Sequence, residues 1–200
     1  GQWVVHADGS YQKSGDLRIG ATALSPRASA TALANAGTED ADQLAEGIDF
    51  AANRLVAGRL PNSAGETWTA GIGAALITDS GHLGLSYSRF DSVYGVPIRF
   101  AIRPGEAQEA PRIDLGQDRI DLRAEVETGG ALLQSLRARA GYASYRHLEI
   151  APDGSIGTAF YNTGLEARLE LVQAQHGGWK GAGGVQYFSR DFNAVGSEAF

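Results

Sequence analysis

The chain has 200 residues, 43% hydrophobic and 20% charged, which is near the globular average and excludes a disordered chain. A formal net charge of -6 and a pI near 5.2 argue against a nucleic-acid binder, and the absence of cysteine excludes disulfides, thiolate metal sites and cysteine nucleophiles. No apolar run approaches the roughly 18 residues a membrane helix requires, although a transmembrane β-strand needs only ~10 residues with every second one apolar. Methionine is also absent and the chain opens on Gly1 with no leader, so it reads as a fragment or a processed product.

Period-two alternation, the side-chain repeat of a β-strand, recurs along the chain. The first segment sets Trp3, Val5, Ala7, Gly9 and Tyr11 against Val4, His6, Asp8, Ser10 and Gln12. A long connection follows over 13–66, too long for plain coil in a compact domain. Its first half, "ATALSPRASATALANAG", is rich in Ala and Ser and carries little information. Its second half predicts a helix near 40–57: Asp40 is placed to N-cap it with Gln43 three residues on, and Leu44, Ile48, Ala52 and Leu55 follow at helical spacing.

Alternation resumes with Trp68, Ala70, Ile72, Ala74 and Leu76, and then with Leu83, Leu85 and Tyr87. A fourth segment, "DRIDLRAEVE" at 118–127, puts Ile120, Leu122, Ala124 and Val126 on one side and Asp121, Arg123, Glu125 and Glu127 on the other. Leu136, Ala138, Ala140 and Tyr142 make a fifth; Tyr161, Leu165, Ala167, Leu169 and Leu171 a sixth; Trp179, Val185 and Tyr187 a seventh. Short turn signals ("TDSGH", "ETGGA", "QHGG") alternate with long connections at 13–66, roughly 91–111 and roughly 148–158. The predicted fold is all-β: an antiparallel up-and-down meander of about seven strands, with a short helix in a long loop. Short turns at one end and long loops at the other are the asymmetry of outer-membrane barrels.

The faces repeat this pattern. Aliphatic residues share one side with Trp3, Tyr11, Trp68, Tyr87, Tyr142, Tyr161, Trp179 and Tyr187, as in the aromatic girdles of a membrane barrel. Opposite them stand Arg119, Asp121, Arg123, Glu125, Arg137, Arg139, Glu166, Arg168 and Glu170, mid-strand and of both signs, so that opposite charges can meet across the ladder. A charge at the bilayer midplane on the lipid side costs ~2–4 kcal/mol, so in a membrane these nine must face the lumen. The competing reading is a soluble β-sandwich with a solvated charged face, a binding module that uses its long loops.

Specific stretches favour the barrel. "LPNS" at 60–63, "GHLGLSYSRFDSVYGVP" at 81–97, "RIDLGQDRIDLRAEVE" at 112–127, "ASYRHLEI" at 143–150, "FYNTGLEARLEL" at 160–171 and "GGVQYFSRDFNAVGSEAF" at 183–200 resemble, in order, the barrel of TonB-dependent outer-membrane receptors. The resemblance covers most of the chain except 13–59. It implies a barrel of about 22 strands with a plugged lumen, of which residues 1–200 would be an early third, with 13–66 an extracellular loop. The family's plug domain and TonB-contacting segment have no counterpart here. Implied with it are a place in the outer membrane of a Gram-negative-type cell, uptake of a scarce nutrient such as a ferric siderophore, and four partners: lipid, the plug, TonB through the plug, and a small-molecule or metal-chelate ligand. No resident cofactor or metal is implied, and no nucleic acid.

Candidate ligand contacts are few. Tyr145, His147 and Glu149 alternate onto one face beside a long loop, either as contacts to a ligand at the barrel mouth or as ordinary lumenal polar groups. Tyr94, Arg99, Phe100 and Arg103 fall in "YGVPIRFAIRPG"; arginines beside an aromatic suit an anionic or ring-bearing ligand, or the loop simply folds over the mouth. Arg190 completes the set of possible vestibule residues. No catalytic signature is present: "GLSYS" is not a nucleophile elbow, and "GIGAAL" and "GAGGV" lie within strands rather than at a strand-to-helix turn. The sequence therefore points to a non-enzyme.

Overall fold

The computed structural model describes residues 1–196. Nine strands and three short helices follow one another: β1 (Gln2–Ser14), β2 (Arg18–Thr22), α1 (Pro26–Asn35), α2 (Ala41–Ala45), α3 (Phe50–Asn53), β3 (Ala57–Arg59), β4 (Gly65–Thr78), β5 (Gly81–Gly95), β6 (Arg112–Glu127), β7 (Leu133–Ile150), β8 (Ile156–Gln173) and β9 (Ala182–Gly196). Seven of the strands form one antiparallel sheet in the order β1-β4-β5-β6-β7-β8-β9, so each strand pairs with the next long one in the chain. This is the predicted meander with the predicted number of strands. The sheet is open, with β1 and β9 as its edges.

The strands run longer than the alternating segments suggest, up to 18 residues in β7 and β8. Their extension shortens the third connection, expected over roughly 148–158, to 151–155. The remaining loops at that end, 15–64 and 96–111, carry the length asymmetry. At the other end lie 79–80, 128–132 and 174–181. The tightest of these turns depends on Gly81, whose φ is +151° and where a Cβ would sit 2.0 Å from the Glu125 carbonyl oxygen.

The two long loops fold on each other. The expected continuous helix near 40–57 is instead two short ones, α2 and α3. Asp40 does cap α2, accepting from the Gln43 N–H, while the Gln43 side chain accepts from the Asp40 N–H as a capping box. Gly47, at φ +72°, then takes the left-handed conformation that ends a helix. A new start follows with Asp49 as N-cap. The break has a packing reason: Ile48 and Phe50 turn inward to join Ala32 and Ala101 in a small core, while Leu44 and Leu55 stay exposed. The segment with little sequence information holds α1, capped by the Ser25 hydroxyl with Pro26 in the first turn. A two-stranded sheet, β2 with β3, closes the base of this loop.

Polar side chains fasten the second loop to the first. Gln43 Nε2 donates to the carbonyls of Arg103 (3.0 Å) and Glu106 (2.8 Å), and Asn53 Nδ2 donates to the Ala101 carbonyl (2.9 Å) and Gln108 Oε1 (2.7 Å). The Gly105 N–H donates to Asp40 Oδ2 at 2.9 Å. This cap contains the one contiguous apolar core among the described residues. Among the described residues, no second layer covers either face of the seven-stranded sheet.

Candidate functional site

Residues directly opposite each other in an antiparallel ladder share a face, so the registers assemble the two surfaces of the sheet. On one face the rows run Trp3–Leu76–Leu83–Ala124–Ala138–Leu169–Val185, then Val5–Ala74–Leu85–Leu122–Ala140–Ala167–Tyr187, then Ala7–Ile72–Tyr87–Ile120–Tyr142–Leu165–Ser189. Val126, Leu136 and Leu171 add a further row towards the short turns. This is an apolar band across seven strands, and it is bare: Val5 is 78% exposed, Ile72 62% and Leu85 55%. Soluble monomers rarely expose contiguous apolar patches beyond a few hundred Å².

Towards the long loops the same face turns polar. Arg89 pairs with Asp91 and Asp118, the Tyr87 hydroxyl donates to Asp118, Arg146 reaches Asp114 at 3.0 Å, and Lys13 reaches Glu66 at 2.8 Å. This collar of ion pairs was not singled out from the sequence, although its members interrupt the alternation just where the apolar segments stop.

The edge of the band does not follow the ladder. On β1 the first polar residue of this face is Lys13, and on β4 it is Glu66, in the same row. On β5, β6, β7 and β8 it is Arg89, Asp118, Ser144 and Thr163, two rows nearer the short turns; on β9 it is Ser189, a third row nearer. The row that starts at Lys13 reaches β9 at Val195, six residues beyond Ser189. At ~3.4 Å per residue and ~4.8 Å per strand, the edge falls about 20 Å over about 29 Å, a slope of roughly 35°. Strands tilted by ~35–45° through a flat slab produce a slope of this size.

The opposite face carries all nine of the anticipated charges. Their rows are Glu125–Arg137–Glu170, then Arg123–Arg139–Arg168, then Asp121–Gly141–Glu166, then Arg119–Ala143–Gly164–Arg190. Opposite signs meet across the strands only in the first row, where Arg137 reaches Glu125 (2.8 Å) and Glu170 (3.4 Å). Elsewhere the pairing runs along a strand between residues two apart: Arg119 with Asp121 (2.6 Å) and Arg168 with Glu170 (2.8 Å). The second row instead places three arginines in register.

The anticipated vestibule residues divide into two groups. Tyr94, Tyr145 and His147 lie on the charged face near the long loops, where the Tyr145 hydroxyl sits 3.1 Å from His147 Nδ1. The His147 ring packs edge-on against Phe160 (centroids 5.4 Å apart), which stacks on Phe192 (6.3 Å). His147 Nε2 and Asn162 Oδ1 are buried without a hydrogen-bond partner, with Glu149 Oε1 3.8 Å from the former. Arg190 is on the same face, in the row of Arg119 but three strands away.

Arg99, Phe100 and Arg103 sit apart from these in the 96–111 loop. There Arg99 pairs with Glu109 (3.5 Å), Arg103 pairs with Glu106 (3.1 Å), and Phe100 is half-buried. The two arginines thus brace their own loop. Among the described residues no group of three His, Asp or Glu side chains converges as a metal site requires. No helix there is long and apolar enough to cross a membrane. No protein-family model matches the chain.

Proposed function

We propose that this chain is a section of the wall of a large outer-membrane β-barrel of the TonB-dependent receptor kind. Its apolar band meets lipid, and its charged face lines a polar interior. The observation that carries the reading is the bare apolar band with an edge oblique to the ladders. From Trp68 to Leu76 the band spans nine residues of β4, about 27 Å along the strand and about 22 Å along the normal at a ~35° tilt. With side-chain reach at both ends this matches the ~25 Å apolar belt of such barrels. The collar of ion pairs and the folded cap of loops lie beyond one edge of the belt, on the extracellular side of this arrangement.

In that setting the chain supplies wall, lumenal lining and part of the outer vestibule. Uptake of a scarce nutrient such as a ferric siderophore would be driven through a plug coupled to TonB. Strands β1 and β9 would pair with further strands of the barrel, and in the isolated chain with the edges of a second copy, because unpaired backbone groups are not sustained in hydrocarbon. Detergent dependence tests the reading. The chain is expected to acquire β-structure and a cooperative unfolding transition only with micelles or lipid vesicles. A soluble, cooperatively folded monomer in plain buffer would refute it and favour the soluble binding module.

A further inference from the structure

The arginines of the charged face are not equivalent. Arg119 forks onto Asp121 through Nε (2.6 Å) and a terminal nitrogen (2.7 Å). Arg137 takes Glu125 and Glu170, Arg168 takes Glu170, and Glu166 accepts from Gln186 Nε2 at 2.7 Å. All four carboxylates of the patch are therefore engaged. Among the described residues Arg123 and Arg139 make no ion pair, yet they stand directly opposite each other, with Arg168 directly opposite Arg139 on the other side. Facing positions in a ladder hold their Cβ atoms ~4.5–5.5 Å apart, and like charges there repel.

A hollow of about 300 Å³ opens beside this row, with Gly141 and Ala140 in its lining. Gly141 keeps it open: a Cβ there would lie 3.2 Å from Asp121 Oδ1 and 3.4 Å from an Arg119 terminal nitrogen, crowding the neighbouring fork. We propose that Arg123, Arg139 and Arg168 form a binding site for a phosphate-type oxyanion carried by a soluble small molecule. A tetrahedral anion of two or more charges offers enough oxygens to receive N–H groups from two or three guanidiniums at once. Planar guanidinium forks suit that geometry better than ammonium groups do. A lipid phosphate does not fit, because the surface that would hold its acyl chains is the band on the opposite side of the sheet. The site requires only that the charged face be wet, which both the barrel and the soluble-sheet readings supply.

The test is calorimetric titration of the full chain, folded in zwitterionic micelles, with pyrophosphate. Saturable binding at one per chain is expected, weakening as salt rises. Arg139→Gln and Arg123→Gln should each reduce affinity about tenfold or more, as expected for loss of a charge-assisted hydrogen bond. Arg139→Lys should fall between, and Arg27→Gln, exposed on α1, should match the parent. Pyrophosphate should also raise the urea midpoint of the parent and of Arg27→Gln but not of Arg139→Gln, a comparison internal to each folded protein. Absence of saturable binding by the parent, or equal affinity in the parent, Arg123→Gln and Arg139→Gln, overturns the site. If the chain folds without micelles, the barrel reading fails while the same titration in buffer still decides the site.

Discussion

Ala7 on β1 and Ser189 on β9 occupy the two ends of one ladder row and belong to the two edge strands of the sheet. Both are small, and their ladder neighbours on this face are Ile72 and Leu165, so arginine meets comparable surroundings at either position. The oblique band nevertheless separates them. Ala7 is six residues below Lys13, about 20 Å along the strand and about 17 Å below the polar edge at a ~35° tilt. It is also midway between Trp3 and Tyr11, near the centre of the belt. Ser189 lies at the edge itself. On a lipid-facing surface Ala7→Arg should cost ~2–4 kcal/mol and Ser189→Arg ~0–1 kcal/mol. With a mid-range urea slope of ~2 kcal/mol per molar, the Ala7 variant should lose about 1–2 M in its midpoint. The assay is urea unfolding of the chain in phospholipid vesicles, followed by tryptophan fluorescence. Equal costs at the two positions, or a larger one at Ser189, would refute the tilted-slab reasoning, since a boundary that follows the ladder treats the two alike.

The loop cap yields further expectations. Phe50→Ala empties the centre of its small core and should weaken the cap by ~3–5 kcal/mol; limited proteolysis should then cut within 15–64 while the sheet keeps its circular dichroism. Asn53→Ala strands the Ala101 carbonyl and should cost the cap ~1–3 kcal/mol, read as faster hydrogen exchange over 96–111. Acid should open the same contact. The N–H groups of Gln43 and Gly105 hold the Asp40 carboxyl below its ordinary range, and the Ile102 N–H, with Arg103, does the same for Glu106. Carboxyls depressed by folding contribute stability above the unfolded carboxylate range and lose it as pH falls through their folded values. Exchange over 96–111 should therefore quicken below about pH 4, and Asp40→Asn should flatten part of that dependence.

The sheet was legible because a period of two fixes the face of every residue, and register then follows from matching apolar to apolar. That is why Ile120, Leu122 and Ala124 find Tyr142, Ala140 and Ala138, as alternation alone requires. The loops were less legible because their contacts are distant in sequence. Asp40 and Gln43 announced a helix start correctly, but the apolar spacing beyond them mixed a residue bound for a core, Ile48, with residues left in water, Leu44 and Leu55, and passed over the core residue Phe50. Gly47 was the available stop signal, and Ser25–Pro26 the available start signal for α1. Among the site residues, Arg99 and Arg103 looked free until Glu109 and Glu106 were placed beside them.

The charged face shows why strand sign patterns do not translate directly into salt bridges. In β6 the order Arg119, Asp121, Arg123, Glu125 alternates sign, as does Glu166, Arg168, Glu170 in β8, whereas Arg137 and Arg139 in β7 do not. Register sets Arg137 between two glutamates, and this forces Arg139 between two arginines. Moving β7 by two residues against both neighbours, the smallest shift that preserves its apolar face, would bring Arg139 opposite Asp121 and Glu166, or opposite Glu125 and Glu170, but would pull Leu136, Ala138, Ala140 and Tyr142 out of their present rows. The apolar band, with the larger area at stake, sets the register, and the arginine row is left as its electrostatic remainder. A site for an oxyanion arises there because the outer surface fixes which inner charges must face one another.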